Sequence, residues 1–247
     1  MSKHPVLALL IACLSLPLLS SQSQGQAAPD DPATLPGLPP AKDGDLLCRC
    51  ISTFLPGKNE IFYFKMDNTY HKVALTGEGI SLPFPVRGTS TFTLYTKTVS
   101  EEDKVVYTPV VEQALKGSGG KYIVIISRPK DKTTLKAKTF NINTANYPAN
   151  HVYLFNESPV SLGLQVNDTK AVVKPFETYK YSYQNAGRDT YTSAKIVMGY
   201  KGESKVMASK RLRLVPGRRM ILVCFPSKTR TQMGATPLGM VLYQDKP

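Results

Sequence analysis

The 247-residue chain has 31 Lys and Arg against 18 Asp and Glu, so its net charge at pH 7 is +13. That balance favours contact with acidic polymers, anionic lipid surfaces or nucleic acid, with a generally solvated basic surface as the alternative. Three of the four cysteines lie beyond residue 27, so at most one disulfide can form within that part of the chain. After the first 27 residues, no stretch approaches the roughly 20 apolar residues that a membrane-spanning helix needs.

Residues 1–27 have the layout of a signal peptide, with a positively charged start, an apolar run from Pro5 to Leu19, and a polar stretch of small residues. A secreted or periplasmic protein is therefore expected. Leu10 to Cys13 also resembles a bacterial lipobox, which would place a lipid anchor on Cys13, but the apolar sequence after Cys13 favours ordinary cleavage. Residues 28–45 contain five prolines among small and acidic residues, which predicts a disordered spacer.

Beyond the spacer, short runs rich in Val, Ile, Thr, Tyr and Phe alternate with Gly, Pro, Asn and Asp, which is typical of an all-β sandwich or barrel. The one candidate helix covers Pro109 to Lys116, and its β-branched Val110 and Val111 argue against it. The first predicted domain covers residues 46–146, with strands near 46–54, 60–66, 71–75, 90–97, 105–111, 121–128 and 134–140.

The second predicted domain, residues 147–247, begins in the Asn-rich junction at 143–150 and repeats the same plan. Its strands are predicted near 151–156, 161–166, 170–173, 178–183, 193–199, 205–214, 219–225 and 237–243.

An internal repeat connects the two halves. Gly119 to Pro129 aligns with Pro216 to Pro226 at an offset of 97 residues, and Phe62 to Thr69 aligns with Leu162 to Thr169 at an offset of 100. Each half is long enough to bury a core of its own. The sequence therefore predicts an all-β protein with two tandem, related immunoglobulin-like β-sandwich domains.

Two short polar pairs occupy equivalent places in the repeat. Asp67-Asn68 and Asn167-Asp168 each lie between two strand-like runs. Asn and Asp tolerate positive φ and bond their own backbone, so a tight hairpin turn is predicted at both places.

Three cysteines follow the leader: Cys48, Cys50 and Cys224. Cys48 and Cys50 point the same way from one strand, where a bond between them would be strained, and Cys224 lies in an apolar run. Buried free thiols are therefore favoured. A Cys-x-Cys pair without further Cys or His partners also lacks the four ligands of a structural zinc site, so no metal and no other cofactor is expected.

Few groups in the sequence suit catalysis. His71 and His151 are the histidines beyond the leader; they lie in different halves and belong to no recognised catalytic motif. Glu101-Glu102-Asp103 is typical of a charged turn. No catalytic residue is predicted, and a hydrolytic enzyme is only the third hypothesis.

The best candidate for a binding site is a basic cluster in the second half. Strand alternation places Arg211 and Arg213 on one face, with Leu212 and Leu214 on the other. Lys210, Arg218 and Arg219 flank this strand, so four guanidinium groups are expected to gather at one sheet edge, where they would suit carboxylate or phosphate groups. The alternative is that the arginines keep an edge strand soluble and unpaired.

Tyr179, Tyr181 and Tyr183 also alternate and so line one face of a predicted strand. If that face is exposed, it is a stacking platform for sugar rings or bases. Inward burial is the alternative, and it is the ordinary arrangement for tyrosines in a sheet.

With its two turn-strand-proline motifs and the stretch from Val173 to Glu177, the chain loosely resembles uncharacterised bacterial secreted proteins made of tandem β-sandwich domains. That resemblance implies no particular activity. A second resemblance, to periplasmic pilus chaperones, is supported by overall length, two sandwich-like domains and basic charge.

The first functional hypothesis is a non-catalytic secreted or envelope protein that contacts an acidic polymer or a protein partner through the basic edge. The second is an assembly component whose sheet edges pair with partner chains. The sequence predicts no oligomeric state.

Overall fold

The structure of the protein, a computed structural model, describes residues 41–77, 79–116, 120–129, 134–184, 188–200, 203–226 and 238–247. For Tyr200 and Glu203 it describes the backbone alone. The predicted signal peptide and most of the predicted spacer lie outside these residues. None of the described segments forms a helix long and apolar enough to cross a membrane.

The described chain is all-β. The strands of the first half are β1 Leu46–Ser52, β2 Phe62–Met66, β3 Thr69–Val73, β4 Phe84–Val86, β5 Thr91–Val99, β6 Val105–Ala114, β7 Gly120–Ser127 and β8 Lys136–Asn141. Those of the second half are β9 His151–Asn156, β10 Leu162–Val166, β11 Thr169–Val173, β12 Thr178–Ser182, β13 Thr190–Tyr200, β14 Glu203–Leu214, β15 Arg219–Pro226 and β16 Leu238–Asp245.

The strands form four sheets of four strands each. In the first half, outer sheet 1 has the order β3-β2-β5-β6 and inner sheet 1 the order β4-β1-β7-β8. In the second half, outer sheet 2 has the order β11-β10-β13-β14 and inner sheet 2 the order β12-β9-β15-β16. The two halves therefore have the same topology, including a parallel pair in each inner sheet, β1 with β7 and β9 with β15.

Local details of the repeat agree with this topology. In the β2–β3 hairpin Met66 pairs with Thr69 across Asp67-Asn68, and both turn residues have positive φ, 48° and 63°. In the β10–β11 hairpin Val166 pairs with Thr169 in the same way. The predicted tight turns are thus confirmed.

The first half resolves one alternative and adds one strand. Residues 105–114 form β6, which confirms the strand predicted near 105–111 and excludes the doubtful helix at 109–116, as the β-branched pair Val110 and Val111 favours. Strand β4 was not predicted: it has only three residues, and Pro85 stands at its centre. Proline is tolerated there because β4 is an edge strand.

Three apolar cores hold the sheets in a stack. One core lies between outer sheet 1 and inner sheet 1, and contains Phe64 and Val124. A second lies between inner sheet 2 and outer sheet 2, and contains Leu164 and Leu222. The third joins the two inner sheets, so the halves pack face to face. It contains Ile51, Ile123, Ile125, Ile142, Tyr153, Phe155, Ile221, Val223, Phe225, Val241 and Tyr243.

The third core explains the continuous apolar runs in β7 and β15, because a strand buried on both faces has no polar side to alternate with. It also corrects the alignment of these strands. Tyr122 faces the first core and Met220 the second, whereas Ile123 and Ile221 both face the third. Tyr122 thus corresponds to Met220, whereas the 97-residue offset assigns it to Arg219, one residue earlier.

A buried ion pair closes one end of the interface between the halves. Arg219 is fully buried, and its Nε and Nη2 donate to the two carboxylate oxygens of Asp245 at 2.6 and 2.9 Å. Its Nη1 donates to the carbonyl of Tyr147, at 2.6 Å, in the segment between β8 and β9. The Lys121 Nζ atom, from the first half, lies 3.6 Å from Asp245 Oδ2. Asp245 therefore contacts both Arg219, the first residue of β15, and a lysine of the other half.

Replacing Arg219 by Ala should destabilise the protein by about 3–5 kcal/mol, because the Asp245 carboxylate would stay buried without its main partner. Arg213→Ala, which breaks an exposed ion pair with Asp189, should cost at most about 1 kcal/mol. Urea unfolding followed by circular dichroism measures both. Equal losses would contradict the structural role of Arg219, and Arg219→Met combined with Asp245→Leu should recover part of the loss.

Candidate functional site

The predicted basic cluster lies on and beside β14, the edge strand of outer sheet 2. Arg211 and Arg213 are exposed, whereas Leu212 and Leu214 are buried in the second core. The predicted alternation therefore holds. Both guanidinium groups lie on the outer face of the sheet, away from the core.

The other three residues of the predicted cluster lie elsewhere. Lys210 pairs with the inward-facing Ala194, so it projects to the opposite side of the strand and borders a small pocket of about 220 Å³. Arg218 is half-buried in the turn before β15. Arg219 is buried against Asp245 and offers nothing to a ligand. Four guanidinium groups do not gather at one edge, because the first residue of β15 already faces the interface between the halves.

Two lysines that the sequence analysis did not connect with the arginines share their face. Lys170 of β11 and Lys195 of β13 both pair with Gln165 of β10, one on each side, and both are exposed. Strands in a sheet are about 4.8 Å apart, so the two lysine Cα atoms are about 10 Å apart. Lys170, Lys195, Arg211 and Arg213 are called the basic face below.

Arg211 continues the row of cations from Lys195. It pairs with Ser193, two residues before Lys195 on the same strand, so it lies diagonal to Lys195 at about 7–8 Å. Part of this arrangement could have been read from the sequence. The predicted turn at Asn167-Asp168 fixes the β10–β11 register and so places Lys170 opposite Gln165. The pairing of Gln165 with Lys195 on the other side depends on which strand lies next to β10, and the sequence does not give that.

Negative charge is scarce on this face. None of the side chains described in β10, β11, β13 and β14 is acidic. Asp189, just before β13, accepts a hydrogen bond from Arg213 Nε at 2.7 Å, and this bond is the main cause that raises the pKa of Arg213. The Arg211 guanidinium lies 4.4 Å from the centroid of the Tyr191 ring. The face therefore keeps a net positive charge, with one guanidinium held against an exposed aromatic ring.

The tyrosines predicted as a stacking platform face inward. Tyr179 and Tyr181 pack partly buried against the second core, because they pair with Leu154 and Val152 of β9. Tyr183 is 7% exposed, and its hydroxyl donates to the carbonyl of Arg218 at 2.8 Å. Burial raises the pKa of Tyr183 to about 12. These three rings are part of the fold, which is the alternative that the sequence left open.

A different set of tyrosines lies on the outer face of outer sheet 1. Tyr70 and Tyr107 stack with ring centroids 3.7 Å apart, Tyr95 meets Tyr70 edge to face at 5.0 Å, and Tyr63 meets Tyr107 at 5.2 Å. Each ring comes from a different strand. The sequence therefore shows no run of tyrosines here, and the sheet order alone brings them together.

The remaining candidate groups for chemistry have structural surroundings. His71 packs against Phe64, with ring centroids 5.5 Å apart, and His151 Nδ1 lies 2.6 Å from the carbonyl oxygen of Ala149. No group of three or more His, Cys, Asp or Glu side chains within the described segments is placed to hold a metal ion.

Cys48, Cys50 and Cys224 are free and buried, as the sequence favoured. Desolvation raises the pKa of Cys48 and of Cys224 to about 12. The pKa of Cys50 is also raised, first by burial and then by the neighbouring Cys48. Since the thiolate is the nucleophile, these thiols are unsuited to attack on a substrate at neutral pH.

No protein-family model matches the chain, and no curated protein matches it. Its function is therefore inferred from the residues of the chain itself.

In the folded protein, residues 28–247, the three thiols should not react with Ellman's reagent at pH 8, because they are buried and protonated. After unfolding in guanidinium chloride, three thiols per chain should react. Ser209→Cys, at an exposed position, should add one thiol that reacts in the folded state. A native cysteine that reacts as fast as Cys at position 209 would contradict the closed cores.

Proposed function

We propose that the protein is a non-catalytic binding protein that contacts an acidic polymer through the basic face. The observation that carries this proposal is the alignment of Lys170, Lys195, Arg211 and Arg213 on one sheet face. Three strands contribute them, so the cations are held by the sheet rather than by a loop.

The spacing of these cations suits a polymer better than a small anion. Neighbouring cations are separated by about 7–10 Å, which is too far for one phosphate or carboxylate to reach all of them. An extended chain that carries an acidic group on successive units can contact several at once. Guanidinium forks bind such groups through two parallel hydrogen bonds, and lysines add point charges.

The proposed location is secreted or periplasmic, supported by the layout of residues 1–27. In that setting the acidic polymer is a component of the cell envelope or of the extracellular surroundings. We also propose that each half is immunoglobulin-like, which is supported by its length, its eight strands and its two packed sheets.

A second candidate function is assembly through sheet edges. It is favoured by exposed apolar side chains at the end of the β5–β6 hairpin, where Val99, Val105 and Val106 are 60%, 49% and 46% exposed. Pairing of this kind uses backbone groups and does not require the basic face. Binding that depends on the four cations and on salt therefore separates the two candidates.

On immobilised heparin, used as a sulfated polymer, residues 28–247 should be retained beyond about 0.3 M NaCl, because several cation contacts release counterions. Changing Lys170, Lys195, Arg211 and Arg213 together to Ser should lower the eluting salt concentration by at least half. Elution in a salt gradient is the measurement.

The matched control removes four exposed lysines from other surfaces, as Lys58→Ser, Lys116→Ser, Lys174→Ser and Lys180→Ser. Its net charge equals that of the first variant, so its elution should change much less. Equal shifts in both variants would mean that heparin responds to net charge alone, and the basic face would then not be a site. Circular dichroism confirms that each variant is folded.

A further inference from the structure

A cleft opens in outer sheet 1 where β2 and β5 separate. These strands pair only at Phe62 with Thr96 and at Tyr63 with Tyr95. The equivalent strands of the second half, β10 and β13, pair over five residues. Beyond Tyr63 and Tyr95, the two strands of the first half border a cleft of about 440 Å³. That volume lies within the range of small-ligand sites.

The floor and walls of the cleft come from β2, the β2–β3 turn, β4 with the connection that follows it, and β5. β2 contributes Lys65, the connection between β4 and β5 contributes Arg87, and β5 contributes Thr91, Thr93 and Tyr95. Thr91, Thr93 and Tyr95 are partly exposed, so their hydroxyl groups and the Tyr95 ring are accessible from the cleft.

Arg87 is fixed in place by carboxylates. Its Nε and Nη2 donate to Asp45 at 2.9 and 2.8 Å, and its Nη1 donates to Asp67 at 2.6 Å. Three of its five N–H donors have these partners, and among the described residues the other two have none. The bonds to Arg87 lower the pKa of Asp45. The guanidinium is thus a rigid donor at the wall of the cleft.

The charges around the cleft show no excess of positive charge. Lys65 and Arg87 are positive, whereas Asp67 in the wall, Asp45 behind Arg87 and Glu112, which pairs with Thr93, are negative. The cleft thus contrasts with the basic face of the second half. A ligand that is rich in hydrogen-bonding groups but carries no net charge therefore fits the cleft better than an acidic polymer does.

An aromatic surface adjoins the hydroxyl groups. The Tyr95 ring borders the cleft and meets Tyr70 edge to face, with centroids 5.0 Å apart. Burial is the main cause that raises the pKa of Tyr95, and its hydroxyl group shares a hydrogen bond with Thr93. A sugar ring presents a C–H face that packs on such a ring and hydroxyl groups that bond to threonine, tyrosine and arginine.

We propose that the cleft between β2 and β5 binds a neutral saccharide, with the sugar ring against Tyr95 and its hydroxyl groups bonded to Thr91, Thr93 and Arg87. This site is separate from the basic face, and it does not depend on the function proposed above.

The test is an NMR titration of ¹⁵N-labelled residues 28–247 with five neutral hexasaccharides, those of glucose linked α-1,4, glucose linked β-1,4, xylose, mannose and N-acetylglucosamine. A heparin-derived hexasaccharide serves as the acidic comparison. At least one neutral sugar should shift the amide signals of Gly88, Thr91 and Thr93. The double variant Thr91→Val and Thr93→Val should weaken that binding by roughly tenfold, because it removes two hydroxyl groups and almost keeps their shape.

The matched control is Thr98→Val with Thr108→Val, which makes the same chemical change at exposed positions away from the cleft. It should bind as the unchanged protein does. The proposal is overturned if no neutral sugar shifts the cleft signals at 20 mM, if only the heparin fragment does so, or if both double variants bind equally. Heparin retention should be the same in both variants, so failure here is distinct from failure of the basic face.

Discussion

The burial of the inner sheets on both faces is the constraint on which the rest of the structure depends. Each inner sheet packs one face on its own outer sheet and the other on the second inner sheet. β7 is therefore apolar and buried at every position from Tyr122 to Ile126, and β15 from Met220 to Phe225. Among the described strands, exposed side chains of the inner sheets lie on edge strands such as β12, whereas each outer sheet leaves its outer face exposed. The broad sheet faces open to a ligand are therefore those of the outer sheets.

The two outer sheets share a topology but differ in how far the two equivalent strands pair. In the second half Gly163 pairs with Val197, where a Cβ atom on Gly163 would lie 2.4 Å from a Val197 methyl group, so the strands pack closely there. β10 and β13 pair over five residues. At the same place in the first half Tyr63 pairs with Tyr95, and the ladder ends there. The outer sheet is thus continuous between these two strands in the second half, whereas in the first half the same two strands separate and border the cleft.

Local sequence patterns correctly predicted those features that depend only on residues close together in the chain, namely turns and strand alternation. The hairpin turn at Asp67-Asn68 and the alternation around Arg211 follow from backbone preferences and strand geometry. The interface between the halves does not, since nothing local distinguishes a strand buried once from one buried twice. The 97-residue offset is therefore one residue out for β15, and a shift of one residue exchanges the faces of a strand. Arg219 was expected beside the exposed arginines because it follows the turn after their strand, and the interface that buries it is not visible locally. Lys170 was not connected with those arginines because the pairing of β10 with β13 depends on the fold.

The stack also sets how the two outer faces can influence one another. Packed sheets lie about 10 Å apart, so three cores separate the outer faces by about 30 Å. Exposed charges interact over about 8 Å at physiological salt, which makes direct electrostatic coupling between the basic face and the cleft negligible. Coupling through the fold would require the third core to shift, and the buried Arg219–Asp245 pair resists that shift. The two faces are therefore expected to bind independently, as rigidly oriented sites at opposite ends of one molecule.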